Sequence, residues 1–153
     1  RLLFGLFYRP PSSDAEYLTY IENSIALAID TNISDIIVTG DFNFDLLNER
    51  TSRKIESICT QYTLFQVINQ PTNFTEHSAT LIDILLVNNK HHLILSGVGD
   101  PFLNQELRYH CPIYGILKFS KNKIHSFTRK IWRYDQGNYE LLRNKLLLSI
   151  GTI

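Results

Sequence analysis

A carboxylate and an amide stand two residues apart in Gly40-Asp41-Phe42-Asn43, directly after Asp35-Ile36-Ile37-Val38-Thr39. The β-branched run predicts a buried strand over 34–39, ending at Asp41. On extended backbone, side chains two apart point the same way. Asp41 and Asn43 are therefore expected to project together from the strand end, with Phe42 turned to the other side. Such a carboxylate can take a proton from water or hold a hard cation, and such an amide can donate to developing negative charge. Gly, Asp and Asn are equally the residues of tight turns, so a turn reading stands beside the chemical one.

Asp83 lies in the apolar run Leu81-Ile82-Asp83-Ile84-Leu85-Leu86-Val87. An ionised carboxylate in such a strand is costly unless paired. Its partner is expected to be either backbone amides or a histidine whose tautomer it fixes. His110, at the head of Cys111-Pro112-Ile113-Tyr114-Gly115-Ile116-Leu117, is the candidate. His77, His91, His92 and His125 have weaker contexts, and His91-His92 would face opposite ways if extended. Tyr8, followed by Arg9-Pro10-Pro11, closes a first strand over 2–8. Its hydroxyl and the Arg9 charge suit a phosphate; packing at a strand end is the alternative.

The elements that must position these groups follow from periodicity. Ser13-Asp14-Ala15-Glu16 fits a capping box, and Leu18, Ile21, Ile25 and Ala28 predict a helix over 14–29. A second helix is expected at about 51–62, with Ile55, Ile58 and Cys59 on its apolar side. Short strands are expected at 64–68, 81–87, 93–98 and 111–119, and a last helix around Tyr139-Leu142-Lys145-Leu146. Strands alternate with helices and then follow one another, which argues for layered α/β or α+β structure.

The chain of 153 residues is 44% hydrophobic, enough for one domain with a real core. It has no apolar run long enough to span a bilayer and no signal-peptide pattern. Two cysteines make neither a disulfide framework nor a zinc site. A reducing location, nuclear or cytoplasmic, is the expectation. The zero net charge hides an asymmetry. Residues 1–117 hold seven basic and thirteen acidic side chains, and residues 118–153 hold eight basic against two acidic. A tail of +6 suits a polyanion partner, or is a solvated linker that offsets the acidic body.

Taken in order, Tyr8-Arg9-Pro10-Pro11, Gly40-Asp41-Phe42-Asn43, Leu81-Ile82-Asp83-Ile84 and His110-Cys111-Pro112-Ile113 resemble the endonuclease/exonuclease/phosphatase superfamily. The nearest likeness is the apurinic-type endonuclease domain of non-LTR (LINE-like) retrotransposons. Ser78-Ala79-Thr80-Leu81-Ile82-Asp83 and Thr128-Arg129-Lys130-Ile131-Trp132-Arg133-Tyr134 are similar to the same group. The resemblance implies an α+β fold, part of a four-layer αββα sandwich, over 1–120. It implies a basic linker and helix over 121–153, leading in related proteins towards a reverse transcriptase.

The activity implied is hydrolysis of a DNA phosphodiester with magnesium, or manganese in its place, nicking the target site for retrotransposition. Asp41 would activate or orient the attacking water and Asn43 would stabilise the transition state. Asp83 and His110 would pair near the scissile phosphate, with Tyr8 and Arg9 contacting it. DNA and a reverse transcriptase domain in cis are the implied partners, with no membrane.

Two departures bear on activity. The group's Ser-Asp-His motif falls on Arg108-Tyr109-His110, so a phenol replaces a carboxylate that helps hold metal. Its principal metal-binding glutamate and an asparagine precede the tyrosine motif, before Arg1. The N-terminal strands are thus expected to be missing, with apolar edges exposed. Of the metal shell only Asp41 is expected to remain, and the chain to be inactive by itself. The alternative is a decayed remnant that binds nucleic acid through its basic segment. A phosphatase or sphingomyelinase is a third reading, disfavoured by the basic, linker-like tail.

Overall fold

The computed structural model describes residues 1–14, 16–101, 108–118, 129–131 and 133–150. The chain divides into two units, Arg1–Phe119 and Ser120–Ile153. Unit one runs β1 (Leu2–Tyr8), α1 (Glu16–Ile29), β2 (Asp35–Asp41), α2 (Glu49–Gln61), β3 (Phe65–Gln66) and β4 (Asn73–Thr75). It continues through β5 (Ala79–Thr80), β6 (Asp83–Val87), β7 (Leu93–Val98), β8 (Arg108–His110) and β9 (Ile113–Leu117).

The central sheet has the order β1-β2-β6-β3. β1 and β2 are parallel, which α1 makes possible as the crossover, and β6 is antiparallel to both β2 and β3. Ile36, Ile37 and Val38 are all buried, as are Ile84 to Val87, so these strands are covered on both faces. Ile21, Ile25 and Ala28 of α1, with Ile55 and Ile58 of α2, complete one core cluster with them. Burying each such isoleucine, leucine or valine stabilises the fold by about 1.5–3 kcal/mol. Ile37, Thr39, Leu85 and Val87 face β9 residues Ile113, Gly115 and Leu117 across a narrow crevice. The second layer consists of the β7-β9 pair and the small sheet β5-β4-β8.

Several expected elements change. The segment 64–68 keeps only two strand residues, because the Gln66 carboxamide accepts from Val67, Ile68 and Leu85 amides and bends the chain. The strand expected at 111–119 is shortened to β9, and Cys111-Pro112 separates it from β8, an unexpected strand just before it that belongs to a different sheet. Proline offers no amide to a ladder. The capping box does not form. The Glu16 carboxylate accepts from the Tyr20 hydroxyl instead, and Ser13 Oγ is buried with no partner among the described residues. Helix α2 starts two residues earlier than expected, capped by Asn48, whose side chain accepts from the Arg50 amide.

In unit two the described residues form a 3-10 turn, Tyr134–Gln136, and α3 (Tyr139–Ile150). Arg133 pairs with Asp135 at 2.8 Å. Leu141, Leu142, Leu146 and Leu147 of α3 are exposed. The linker residues 121–128, His125 among them, and Trp132 lie outside the described residues.

Candidate active site

Strand register assembles the site. Tyr8 stands opposite Asp41 in the β1–β2 ladder, and Asp41 stands opposite Asp83 in the β2–β6 ladder. Opposed residues share a face of the sheet, so Tyr8, Asp41 and Asp83 form a row across three strands. His110, the last residue of β8, brings its Nδ1 to 2.9 Å from Asp83 Oδ2. A ligand atom from each of Asp41, Asp83 and His110 lies within 4.8 Å of the others. They border an open cleft of about 420 Å³, walled on its apolar side by Leu6, Pro112 and Ile113.

Asp83 begins β6 rather than lying inside it. The preceding Leu81 and Ile82 bond to the loop after β2: Phe42 donates its amide to the Ile82 carbonyl, and Leu46 to that of Leu81. The fully buried Thr72 hydroxyl accepts from the Ile82 and Asp83 amides at 3.2 and 3.0 Å. Asp83 is therefore fixed from behind, with its carboxylate towards the cleft and His110.

Asp41 and Asn43 do not project side by side from extended backbone. Asn43 has φ of +49°, and its amide donates to Asp41 Oδ1 at 3.0 Å. This is an Asx turn, so the turn reading and the site reading hold at once. The Asn43 carboxamide donates to the Arg9 carbonyl at 2.8 Å. Phe42 is buried, as expected of the residue turned away, and packs at 6.2 Å from the Phe7 ring. Gly40 has φ of +145°, and a Cβ there would meet the Phe7 carbonyl oxygen at 1.8 Å. Only glycine fits where the strand feeds this turn.

Arg9 corrects the expectation of a phosphate contact. It is buried, with its guanidinium donating to the Ser13 and Asn43 carbonyls and lying 4.1 Å from the Phe44 ring centroid. Its charge braces the loop from below. Tyr8 stays exposed at the end of the row. Tyr109 stacks on Phe74 at 5.2 Å and 13°. Strand alternation turns it away from the face that His110 uses, so this position packs and does not coordinate.

Burial pushes the Asp41 carboxyl up, and the neighbouring Asp83 charge adds to it; the Asn43 amide and His110 pull the other way without cancelling the rise. Two carboxylates and one imidazole around a polar opening are a donor set that fits a divalent cation such as magnesium or manganese. A cation would also relieve the repulsion between the two acids.

Three residues escaped the sequence reading. Thr72 carries no spacing signal, because its role depends on a loop folding behind β6. Asn73, opposite His110 in the β4–β8 register, is buried with its Nδ2 unpartnered among the described residues. Asp35, at the far end of β2, pairs with His92 Nδ1 and accepts from the Ser34 hydroxyl at 2.8 Å. A 3-10 turn over Lys90–His92, just before the expected strand at 93–98, lets His92 reach it.

No protein-family model and no curated protein matches the sequence. Among solved structures, the mannosyl-6-phosphatase Bt3783 of Bacteroides thetaiotaomicron VPI-5482 is similar at a TM-score of 0.55 and 19% identity, over 76% of this chain and 51% of that one. The mixed α/β fold of this chain is thus that of the matched part of this phosphatase. An endonuclease/exonuclease/phosphatase family protein from Bacteroides thetaiotaomicron is similar at a TM-score of 0.43 and 19% identity, over 64% of this chain and 41% of its own. The chain thus spans about half the length of these structures. In this chain the part of the fold described holds the row Tyr8, Asp41, Asp83 and the second-layer His110.

Proposed function

We propose that this chain carries the Asp–His wall of a magnesium-dependent DNA phosphodiesterase, the target-site nicking endonuclease of a retrotransposon, and does not nick DNA by itself. The observation that carries the reading is the Asp41–Asp83–His110 constellation at one cleft. Asp83 accepts from His110 Nδ1–H, which leaves Nε2 of the neutral imidazole as a base or, once protonated, a donor. Asp41, held above the usual carboxylate range, is suited to orient or deprotonate a water at the cleft. Asp41 and Asp83 would hold a divalent cation, which would supply positive charge to the attacked phosphorus, while His110 keeps its Nε2 for proton transfer. Tyr8, exposed beside Asp41, is free to donate to a phosphate oxygen.

The expected inactivity has a structural side. Tyr109 is committed to its stack, Arg9 to carbonyls beneath the loop, and one Asn43 donor to Arg9. Among the described residues, few donors remain to offset charge on a transition state. The exposed Arg129, Lys130 and Arg133 of unit two suit DNA phosphates, with a reverse transcriptase domain following in cis. The same observations favour the second reading, a remnant that binds nucleic acid without cutting it.

Two measurements test this. Manganese titration followed by electron paramagnetic resonance should give one bound ion, lost in Asp83→Ala; no bound ion would remove the reading. Supercoiled plasmid with magnesium should stay closed above background. Robust nicking abolished by Asp41→Ala would keep the site and overturn the inactivity.

A further inference from the structure

Asp41 closes β2 and Asp83 opens β6, so the two carboxylates stand opposite each other at the last rung of their ladder. Ladder ends are where strands open most readily. Past this rung the chain runs as a loop over 42–48 on one side and as Leu81-Ile82 on the other. Whatever joins those two segments sets how far apart the carboxylates lie.

Three successive amides, those of Leu81, Ile82 and Asp83, are accepted by side-chain oxygens. Thr72 takes Ile82 and Asp83, and Asp45 takes Leu81. Asp45 Oδ1 accepts from the Leu81 amide and from the Leu47 amide, both at 3.0 Å. The two braces tie Asp83 to different places. Thr72 belongs to the layer that carries His110, since its carbonyl accepts from the Cys111 amide at 2.7 Å. Asp45 belongs to the Asp41 loop. Its own carbonyl accepts from the Thr51 hydroxyl and from the Asn48 amide, which anchors it to the start of α2. Leu81 thus has both backbone groups bound to that loop: its carbonyl accepts from the Leu46 amide at 2.9 Å, and its amide donates to the Asp45 carboxylate. Leu81 is buried, so losing that acceptor would be costly. All of these groups lie between residues 45 and 81, well inside the described chain. Asp45 itself does not border the cleft.

We propose that Asp45 is a positioning residue of this site: its side chain extends the β2–β6 ladder past the strand ends and so fixes the separation of the Asp41 and Asp83 carboxylates. Its value to cation binding presupposes that these two acids hold the ion, as proposed above. Thr72 sets Asp83 against His110, and Asp45 sets Asp83 against Asp41.

The test uses the 153-residue chain, with manganese binding followed by electron paramagnetic resonance. Asp45→Ala should weaken binding roughly tenfold or more, the loss typical of groups that orient metal ligands. Asp45→Asn keeps an Oδ1 acceptor for both amides and should bind like the parent. Ile58→Val, a core truncation in α2, controls for lost stability and should also bind like the parent. The Leu81 amide should exchange slowly in the parent and in Asp45→Asn, and fast in Asp45→Ala. A metal-free comparison separates the role of Asp45 from the cation reading. In chelator the two acids repel, so Asp41→Asn should raise Tm. In the Asp45→Ala background that gain should shrink, because the acids are no longer held together. A parent that binds no manganese would remove the cation reading, and the Tm comparison would then decide whether Asp45 sets the separation. An Ala variant that binds manganese as the parent does would overturn the proposal. So would an Asn variant as weak as the Ala variant, or an undiminished Asp41→Asn gain in the Asp45→Ala background.

Discussion

Replacing Asp41 by Asn should stabilise the protein, although Asp41 stands at the centre of the site. The carboxylates of Asp41 and Asp83 offer ligand atoms within 4.8 Å of each other. At that separation two like charges repel by about 3.5 kcal/mol at an effective dielectric constant near 20, and by about 0.9 kcal/mol in water. The cleft is open, so the lower end applies. The Asn side chain keeps the Oδ1 acceptor that the Asn43 amide uses. Without divalent cations at neutral pH, Asp41→Asn should thus gain about 1 kcal/mol, or roughly 2–4 °C in Tm for a chain of this size.

The sign of the pH dependence follows from the raised carboxyl. Ionised Asp41 costs stability, and that cost appears as pH rises above the unfolded value of about 3.9 and is complete above the higher folded value. Below both values the acid is neutral and the two proteins should converge. Magnesium or manganese should reverse the order, since binding stabilises only the form that holds the ion. Thermal melts across pH, with chelator and with each ion, read all of this. A variant less stable than the parent in chelator at neutral pH would refute the reasoning, as would a gain that persists in acid.

Thr72→Val should cost about 2–4 kcal/mol in urea unfolding, because two buried amides lose their acceptor, and Thr72→Ser should recover most of it. The same valine variant should weaken manganese binding, since Asp83 loses its brace. Gly40→Ala should cost at least ~2 kcal/mol, because a Cβ there strikes the Phe7 carbonyl at a φ that L-residues avoid. A silent Gly40→Ala would contradict the backbone path into the turn. Burial pushes the Asp35 carboxyl up, but the Ser34 hydroxyl and His92 outweigh it and hold it below the usual range. Its contribution is present above the unfolded value and lost as pH falls through the lower folded one. Asp35→Asn should therefore flatten the acid limb of the stability curve, and an unchanged limb would show that the pair with His92 is inert.

The sequence by itself determined the strands and helices with strong periodicity. The β-branched run before Asp41 and the spacing of Ile21, Ile25 and Ala28 each encode a buried surface locally. It also marked Asp83 as a carboxylate in need of a partner and named His110 for it, because an acid in apolar surroundings is anomalous whatever the fold. It could not reveal the row Tyr8, Asp41, Asp83. That row depends on the register of one parallel and one antiparallel ladder, set by packing between residues far apart in the chain. Nor could it show that Asn43 turns left-handed, that Arg9 is buried, or that Tyr109 stacks on Phe74. Residue type states what a side chain can do; tertiary contacts decide which surface it meets, and at Arg9 the contact decided against the expected phosphate contact.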